Sequence, residues 1–292
     1  MDRPPRANRA KPNDVMRFVL AAVLALYGSA VGLLALFQRH LIYPGAFRAV
    51  AAQPEREAPE GTSAIVVETD DGERLFGFWR PPDPGCGVVL TFHGNASRPE
   101  PHAARFVGGP WRTHGWGVLA IAYRGYPGST GAPSEAGLIA DGLAAHRAVT
   151  ARAPDAAILL HGHSLGTAVA IAVAERVPHL GLYLEAPFNA LDHLVRLKFP
   201  YVPNWFLRDT FRSDLRIAKA SGPVLIVHGT DDPVVPLKHA HKLAEAAGPP
   251  ARMVVVAGDH MSILGTQDAE AEAGFRPRGP DACATMERAG TP

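Results

Sequence analysis

Cysteine is nearly missing: Cys86 and Cys283 are the only two in 292 residues. That excludes a disulfide framework and a zinc cluster built on cysteines, and leaves a single bridge between the two open. An excess of either charge is also missing. Lys and Arg number 29 against 28 Asp and Glu, so no overall field holds a phosphate backbone and nucleic acid is not an expected partner. Charged residues make up 20% and hydrophobic residues 47% of the chain, which fits neither a disordered protein nor a multi-span membrane protein. A chain of this length can bury roughly 75% of its unfolded surface, so a sizeable core is within reach.

Long apolar runs are scarce, with one exception. Phe18 to Phe37 carries no charge, and about 20 apolar residues is the length a helix needs to cross the hydrocarbon core. Arg3, Arg6, Arg9, Lys11 and Arg17 precede it, against Asp2 and Asp14. The positive-inside rule then makes 1–17 a basic cytoplasmic leader, 18–37 a transmembrane anchor, and the remainder extracytoplasmic. A buried core helix would show a polar stripe, and only Tyr27 and Ser29 offer one. Gly28-Ser29-Ala30 has the small residues a signal peptidase accepts, but the apolar run continues seven residues beyond it, which favours an uncleaved anchor. Richness in Ala, Arg, Gly and Pro points to a GC-rich bacterial source, hence to an inner-membrane anchor with a periplasmic domain.

Residues 38–60 read as a connector. Ala64–Glu68 and Arg74–Arg80 flank a turn at 69–73 and read as an antiparallel hairpin. Six short apolar runs without alternation follow: Val88–Phe92, Val118–Tyr123, Ala157–Leu160, Leu182–Leu184, Val224–Val227 and Met253–Val256. Such strands are covered on both faces. Helical segments lie between them at Ala103–His114, Ser134–Ala151 with Ser134 as N-cap, Thr167–Arg176 and Lys238–Ala247. The alternation predicts an α/β domain over 61–260 with a mostly parallel, doubly wound sheet. Residues 189–220 break the rhythm and read as a small cap. Its aromatics Phe199, Tyr201, Trp205, Phe206 and Phe211 either cover a substrate pocket or pack helices onto the sheet; Phe188, Tyr201, Trp205 and Phe206 are the pocket candidates. Residues 261–292 contain Gly274, Pro277, Gly279 and Pro280 and no sustained apolar face, and are predicted to be disordered.

The chemistry concentrates at Gly162-His163-Ser164-Leu165-Gly166, which follows a buried strand and precedes an Ala/Val-rich helix. That is the context of a nucleophile elbow: a strained turn lifts the Ser164 hydroxyl clear, and the small flanking residues let strand and helix approach. Serine needs a base, and the base needs a carboxylate to fix its tautomer. In this arrangement both follow the serine along the chain. Among thirteen histidines, His260 alone occupies the loop after the last strand, so His260 is the candidate base. Asp231 and Asp232 follow the Val224 strand, and spacing alone does not choose between them; Asp259, adjacent to the base, is a weaker third option. Two backbone N–H groups must face the developing oxyanion, and Leu165 and Asn95 are placed to supply them. His93, His161 and His163 could be read as a metal site, but no carboxylate recurs at ligand spacing. No metal and no organic cofactor is expected.

Four blocks carry a resemblance: Gln38-Arg39-His40-Leu41-Ile42-Tyr43-Pro44 after a single span, Phe92-His93-Gly94-Asn95, Tyr123-Arg124-Gly125-Tyr126-Pro127-Gly128-Ser129 with Pro133-Ser134-Glu135, and Gly162-His163-Ser164-Leu165-Gly166. On these the chain, from about residue 38 to 260, resembles the α/β-hydrolase superfamily, in particular its membrane-anchored branch related to serine aminopeptidase and prolyl oligopeptidase-like hydrolases. The resemblance implies a catalytic acid at the end of His-Gly-x-x-Asp, which selects Asp232, and supports His260, Asn95 and Leu165 in the roles given. The expected function is that of a membrane-tethered serine hydrolase acting on a small-molecule or lipid-like acyl ester or thioester. Its rivals are an aminopeptidase- or oligopeptidase-like amide hydrolase, to which the family names point, and a noncatalytic tethered interaction domain. Relatives close the domain with an amphipathic helix after the histidine, which this sequence does not show. Oligomeric state is not legible.

Overall fold

The computed structural model describes residues 12–47, 57–278 and Cys283. The predicted leader up to residue 11, the middle of the connector and most of the chain after residue 278 lie outside the described residues.

The first element, α1 (Pro12–Ile42), is a single apolar helix of 31 residues. At 1.5 Å per residue it is about 46 Å long, and its hydropathy and length suffice to cross a membrane. It runs five residues past the predicted end of the span, so the start of the expected connector is helical. The polar side chains there find partners in the cap, far along the chain. Gln38 Nε2 donates to the Phe206 carbonyl and Gln38 Oε1 accepts from the Arg208 N–H, while the buried Asp209 carboxylate accepts from Arg39 Nε and Tyr43 Oη.

Eight strands form one sheet in the order β1-β2-β4-β3-β5-β6-β7-β8: β1 (Ser63–Glu68), β2 (Arg74–Arg80), β3 (Val88–Phe92), β4 (Gly117–Ile121), β5 (Ile158–His163), β6 (Gly181–Glu185), β7 (Val224–Gly229) and β8 (Ala251–Val256). The hairpin β1–β2 is antiparallel and attaches antiparallel to β4; the other pairings are parallel. Every run read as a strand from its apolar residues is one.

Helices cover both faces. The region read as one helix at 103–114 is two, α2 (Pro99–Phe106) and α3 (Gly109–Thr113), because Gly108 between them is extended, with φ −118° and ψ −177°, and Gly109 turns the chain with φ +51°. Then come α4 (Glu135–Arg152), α5 (Leu165–Ala174), α6 (Leu191–Lys198), α7 (Ser213–Arg216), α8 (Lys238–Ala247) and α9 (Asp268–Phe275). Ser134 caps α4 as predicted, its Oγ accepting from the Gly137 N–H. One core contains Leu138, Val169, Ile171 and Leu243 of α4, α5 and α8; the other contains Phe106, Trp111 and Phe275 of α2, α3 and α9. The cap, with α6 and α7, lies between β6 and β7.

The expectation of disorder after His260 is corrected by α9. Ala271, Glu272 and Phe275 are buried, Trp116 Nε1 donates to Glu272, and Arg105 bridges Asp268 to Glu185. Cys283 is joined to Cys86, tying the described end of the chain back to the sheet.

Candidate active site

The strand order reverses at β3, whose neighbours β4 and β5 lie on opposite sides, and open α/β sheets place their ligand crevice at the carboxyl ends of strands at such a point. Phe92 pairs with Gly162, so the loop after β3 and the turn after β5 emerge side by side. A side chain on Gly162 would run into the backbone of Gly166 and Thr167, and one on Gly166 into the Phe92 and His93 backbone. Only glycine at both positions lets β5, α5 and the β3 loop meet.

That close approach forces Ser164 to φ 52°, ψ −118°, a conformation that costs on the order of 1–3 kcal/mol outside glycine and persists only where its surroundings hold it. They do. Ser164 N donates to the Glu185 carbonyl at 2.9 Å, and its own carbonyl accepts from Thr167 Oγ1 at 2.6 Å. Leu165 is the first residue of α5, at the end of a helix where N–H groups and the dipole favour negative charge.

Asp232 and His260 meet. His260 Nδ1 donates to Asp232 Oδ2 at 2.6 Å, while Asp232 Oδ1 accepts from the Val234 and Val235 N–H groups, each at 2.8 Å. Burial pushes the Asp232 carboxyl up, but the hydrogen bonds from His260, Val235 and Val234 outweigh it and hold the group below the ordinary aspartate range. Asp231 instead accepts from its neighbour Thr230. Asp259 accepts from the Met261 and Ser262 N–H groups and so shapes the turn that carries the histidine.

The histidine loop is docked beside the serine. His163, next to Ser164 in the chain, donates from Nε2 to the His260 carbonyl at 3.1 Å, and the two rings lie 5.0 Å apart. Burial, helped by the nearby His260, pushes His163 down to about 4, so it is neutral near pH 7. Beneath this pair, Gly265 N donates to Glu185, whose carboxylate also receives Arg105 and His161. Burial would raise the Glu185 carboxyl, but Arg105 and His161 hold it well below the ordinary range. His93 turns inward to the Gly94 carbonyl. The three histidines once weighed as a metal set therefore each have a separate structural partner, with His161 on Thr91 and Glu185.

Asn95 and Leu165 both line the cavity, about 190 Å³ in size, that contains Ser164. Asn95 is fixed from three sides: its Nδ2 donates to the Ile42 carbonyl, and its own carbonyl accepts from Tyr126 Oη and the Gly45 N–H. The segment at the end of α1 therefore holds the loop after β3, which gives the Gln38–Pro44 block a physical role. Of the four predicted pocket residues only Phe188 lines this cavity. Phe206 lines a neighbouring cavity against α1, and Tyr201 and Trp205 are 83% and 79% exposed. Leu191, Leu194, Val195 and Phe199 form the cap's wall instead, with Leu41 and Ile42 opposite. Aromatic content alone does not pick out this wall: apart from Phe199 it is aliphatic and lies on α6, where the spacing of residues 191, 194, 195 and 198 is the sequence signal.

A family model described as TAP-like protein, of the α/β-hydrolase type, matches residues 205–272. An uncharacterized protein of Mycobacterium tuberculosis is 37% identical over 249 residues, covering 82% of this chain and 86% of that protein. The lysophosphatidylserine lipase ABHD12 of Xenopus tropicalis is 31% identical over 221 residues, 68% of this chain but 57% of that protein's length. Among solved structures, the Pyrococcus furiosus esterase Pf2001 superposes with a TM-score of 0.59 at 19% identity, covering 73% of this chain and 87% of that one. A puromycin-hydrolysing peptidase of Mycobacterium tuberculosis gives 0.58 at 18% identity over 75% and 40% of the two chains. These two share the fold. The chain belongs to the α/β-hydrolase superfamily. It is a hydrolase of that fold with lipase and esterase relatives.

Proposed function

We propose that this chain is a serine hydrolase, tethered to a membrane by α1, that cleaves an ester or thioester through an acyl-enzyme. The observation that carries the reading is the strained Ser164 at the mouth of α5, in one cavity with Asn95 and Leu165, with a 2.6 Å Asp232–His260 pair docked on the adjacent His163. In the first step Ser164 Oγ attacks the acyl carbon and its proton passes to His260 Nε2. Asp232 keeps the proton on Nδ1 and stabilises the imidazolium. The oxyanion faces the Leu165 and Asn95 N–H groups. His260 then protonates the leaving alcohol or thiol, and water, activated by the same imidazole, releases the acid and restores Ser164. Among the described residues Ser164 Oγ makes no hydrogen bond; such contacts tighten when substrate binds.

The lipase relatives support a lipid-like acyl substrate. The cystine linking Cys86 and Cys283 supports an oxidising compartment for the domain, in keeping with a periplasmic catalytic domain behind a basic cytoplasmic leader. A fluorophosphonate probe should label the purified full chain, and Ser164→Ala should abolish both labelling and p-nitrophenyl ester hydrolysis. Labelling that survives Ser164→Ala would sink the assignment. Faster turnover of aminoacyl anilides than of esters would favour the peptidase-like alternative.

A further inference from the structure

The face that α1 turns to the cap is a stripe at helical spacing: Tyr27, Val31, Leu34, Gln38 and Leu41. Tyr27 Oη donates to the Tyr201 carbonyl at 2.6 Å, Val31 is buried, and Leu34, Gln38 and Leu41 line the cavity between helix and cap. From Tyr27 to Phe37, the end of the uncharged run, the helix rises about 15 Å, half of a hydrocarbon core roughly 30 Å thick. With that run in the bilayer, cap residues 199–207 stand at the depth of one leaflet. Their chemistry suits it. Phe199, Tyr201 and Trp205 are exposed, and between Asp192 and Asp209 every formally charged side chain is basic: Arg196, Lys198 and Arg208. Aromatic and basic residues together are the composition of a segment seated at the lipid interface.

The cavity between α1 and the cap measures about 80 Å³ and the one holding Ser164 about 190 Å³, each too small by itself for a whole ligand. Leu41, Ile42, Val195 and Phe199 line both, so the two adjoin across a shared apolar wall. In the outer cavity, the Gln38 amide is already satisfied by the Ala35 and Phe206 carbonyls and the Arg208 N–H, and apart from Asn204 the rest of the lining is apolar.

We propose that these cavities form one path in which the acyl chain of a bilayer lipid, entering from the leaflet, lies between α1 and the cap with its ester at Ser164. The path rests on reading Ser164 as nucleophile and α1 as a span, and the test separates the failures. The full chain carrying Ser164→Ala is placed in phosphatidylcholine–phosphatidylglycerol vesicles with a palmitoyl monoacylglycerol bearing a mid-chain diazirine. Irradiation should label peptides covering 34–42 and 194–207, and excess unlabelled monoacylglycerol should suppress that label while sparing labels elsewhere on α1. Labels confined to the outward face of α1, or none that the competitor displaces, overturn the proposal. In the active chain, Ala35→Trp fills the outer cavity and should lower the kcat/KM ratio of a C16 to a C4 p-nitrophenyl ester by at least about tenfold; an unchanged ratio overturns it as well. If the wild-type chain hydrolyses neither ester and takes no fluorophosphonate, the serine-hydrolase reading falls, while the cross-linking still decides the groove.

Discussion

Ser164 sits in strained backbone geometry that the rest of the fold maintains, and the turn was readable because its cause is local: two glycines bracket a serine between a core strand and a helix. The acid was not readable from spacing. Asp231 and Asp232 are adjacent, and only the turn at Val234 and Val235, whose N–H groups hold Asp232 Oδ1, decides which carboxylate faces His260. This gives a test of the pair. Asp232→Asn keeps the shape but lets the amide donate toward Nδ1, imposing the wrong imidazole tautomer; kcat for an ester should fall by about 10³–10⁴ at neutral pH, with the fold retained. Asp231→Asn, at a carboxylate that accepts from Thr230 and not from His260, should stay within about twofold of the parent. Steady-state kinetics of the two variants measures both, and a loss centred on Asp231 would reassign the acid.

At the scale of elements, the strands were legible because burial on both faces demands unbroken apolar runs, whereas α9 was hidden by its own core. Its buried face includes Glu272, which receives Trp116 Nε1 and Arg276, so the pattern shows no apolar stripe although the helix is packed. The cap was legible as an interruption, but which of its side chains face the serine depends on how it leans on α1, a long-range fact that no local pattern carries. The helix after the histidine, expected from the resemblance and not seen in the sequence, is thus present, and Arg105 connects it to the site: both of its forks are used, on Glu185 and Asp268. Removing that cation leaves the fully buried Glu185 carboxylate with His161 and Tyr183 as its remaining side-chain partners. Arg105→Ala should cost about 3–5 kcal/mol, and because Gly265 hangs on Glu185, ester turnover should fall with it. Arg105→Lys, without the planar fork, should recover only part of the loss. Thermal melting in detergent reads the first effect, and a cost under about 1 kcal/mol would show the network to be dispensable.

For the whole molecule, the buried histidines set how stability responds to acid. Burial pushes His93 and His163 down to about 4, against roughly 6.5 in an unfolded chain. Between those values the unfolded chain binds more protons than the folded one, so stability is fully present above about pH 6.5 and drains away as pH falls toward 4. Glu185 and Asp232, both held below their ordinary range, act in the same sense: their contribution is present above the unfolded carboxyl range, near pH 4, and is lost as pH falls below it. Asp141 opposes them. Burial raises it to about 6, so the folded chain takes up its proton first and gains from acid between about pH 6 and 4. One carboxyl stands against His93 and His163, and against His102, His161 and His239, which burial pushes down as well, so the histidines prevail. The melting temperature should therefore drop by at least ~5 °C, corresponding to about 2 kcal/mol for a domain of this size, on going from pH 7 to pH 4.5. His163→Asn removes one of these imidazoles without adding a group that titrates there, and although it lowers the melting temperature at pH 7 by disturbing the His260 loop, it should lessen the slope below pH 6.5. Differential scanning at half-unit pH steps gives both quantities. A melting temperature that is level or rising toward pH 4.5 would mean that these rings take up protons in the folded chain as readily as in the unfolded one, so that burial does not hold His93 and His163 down.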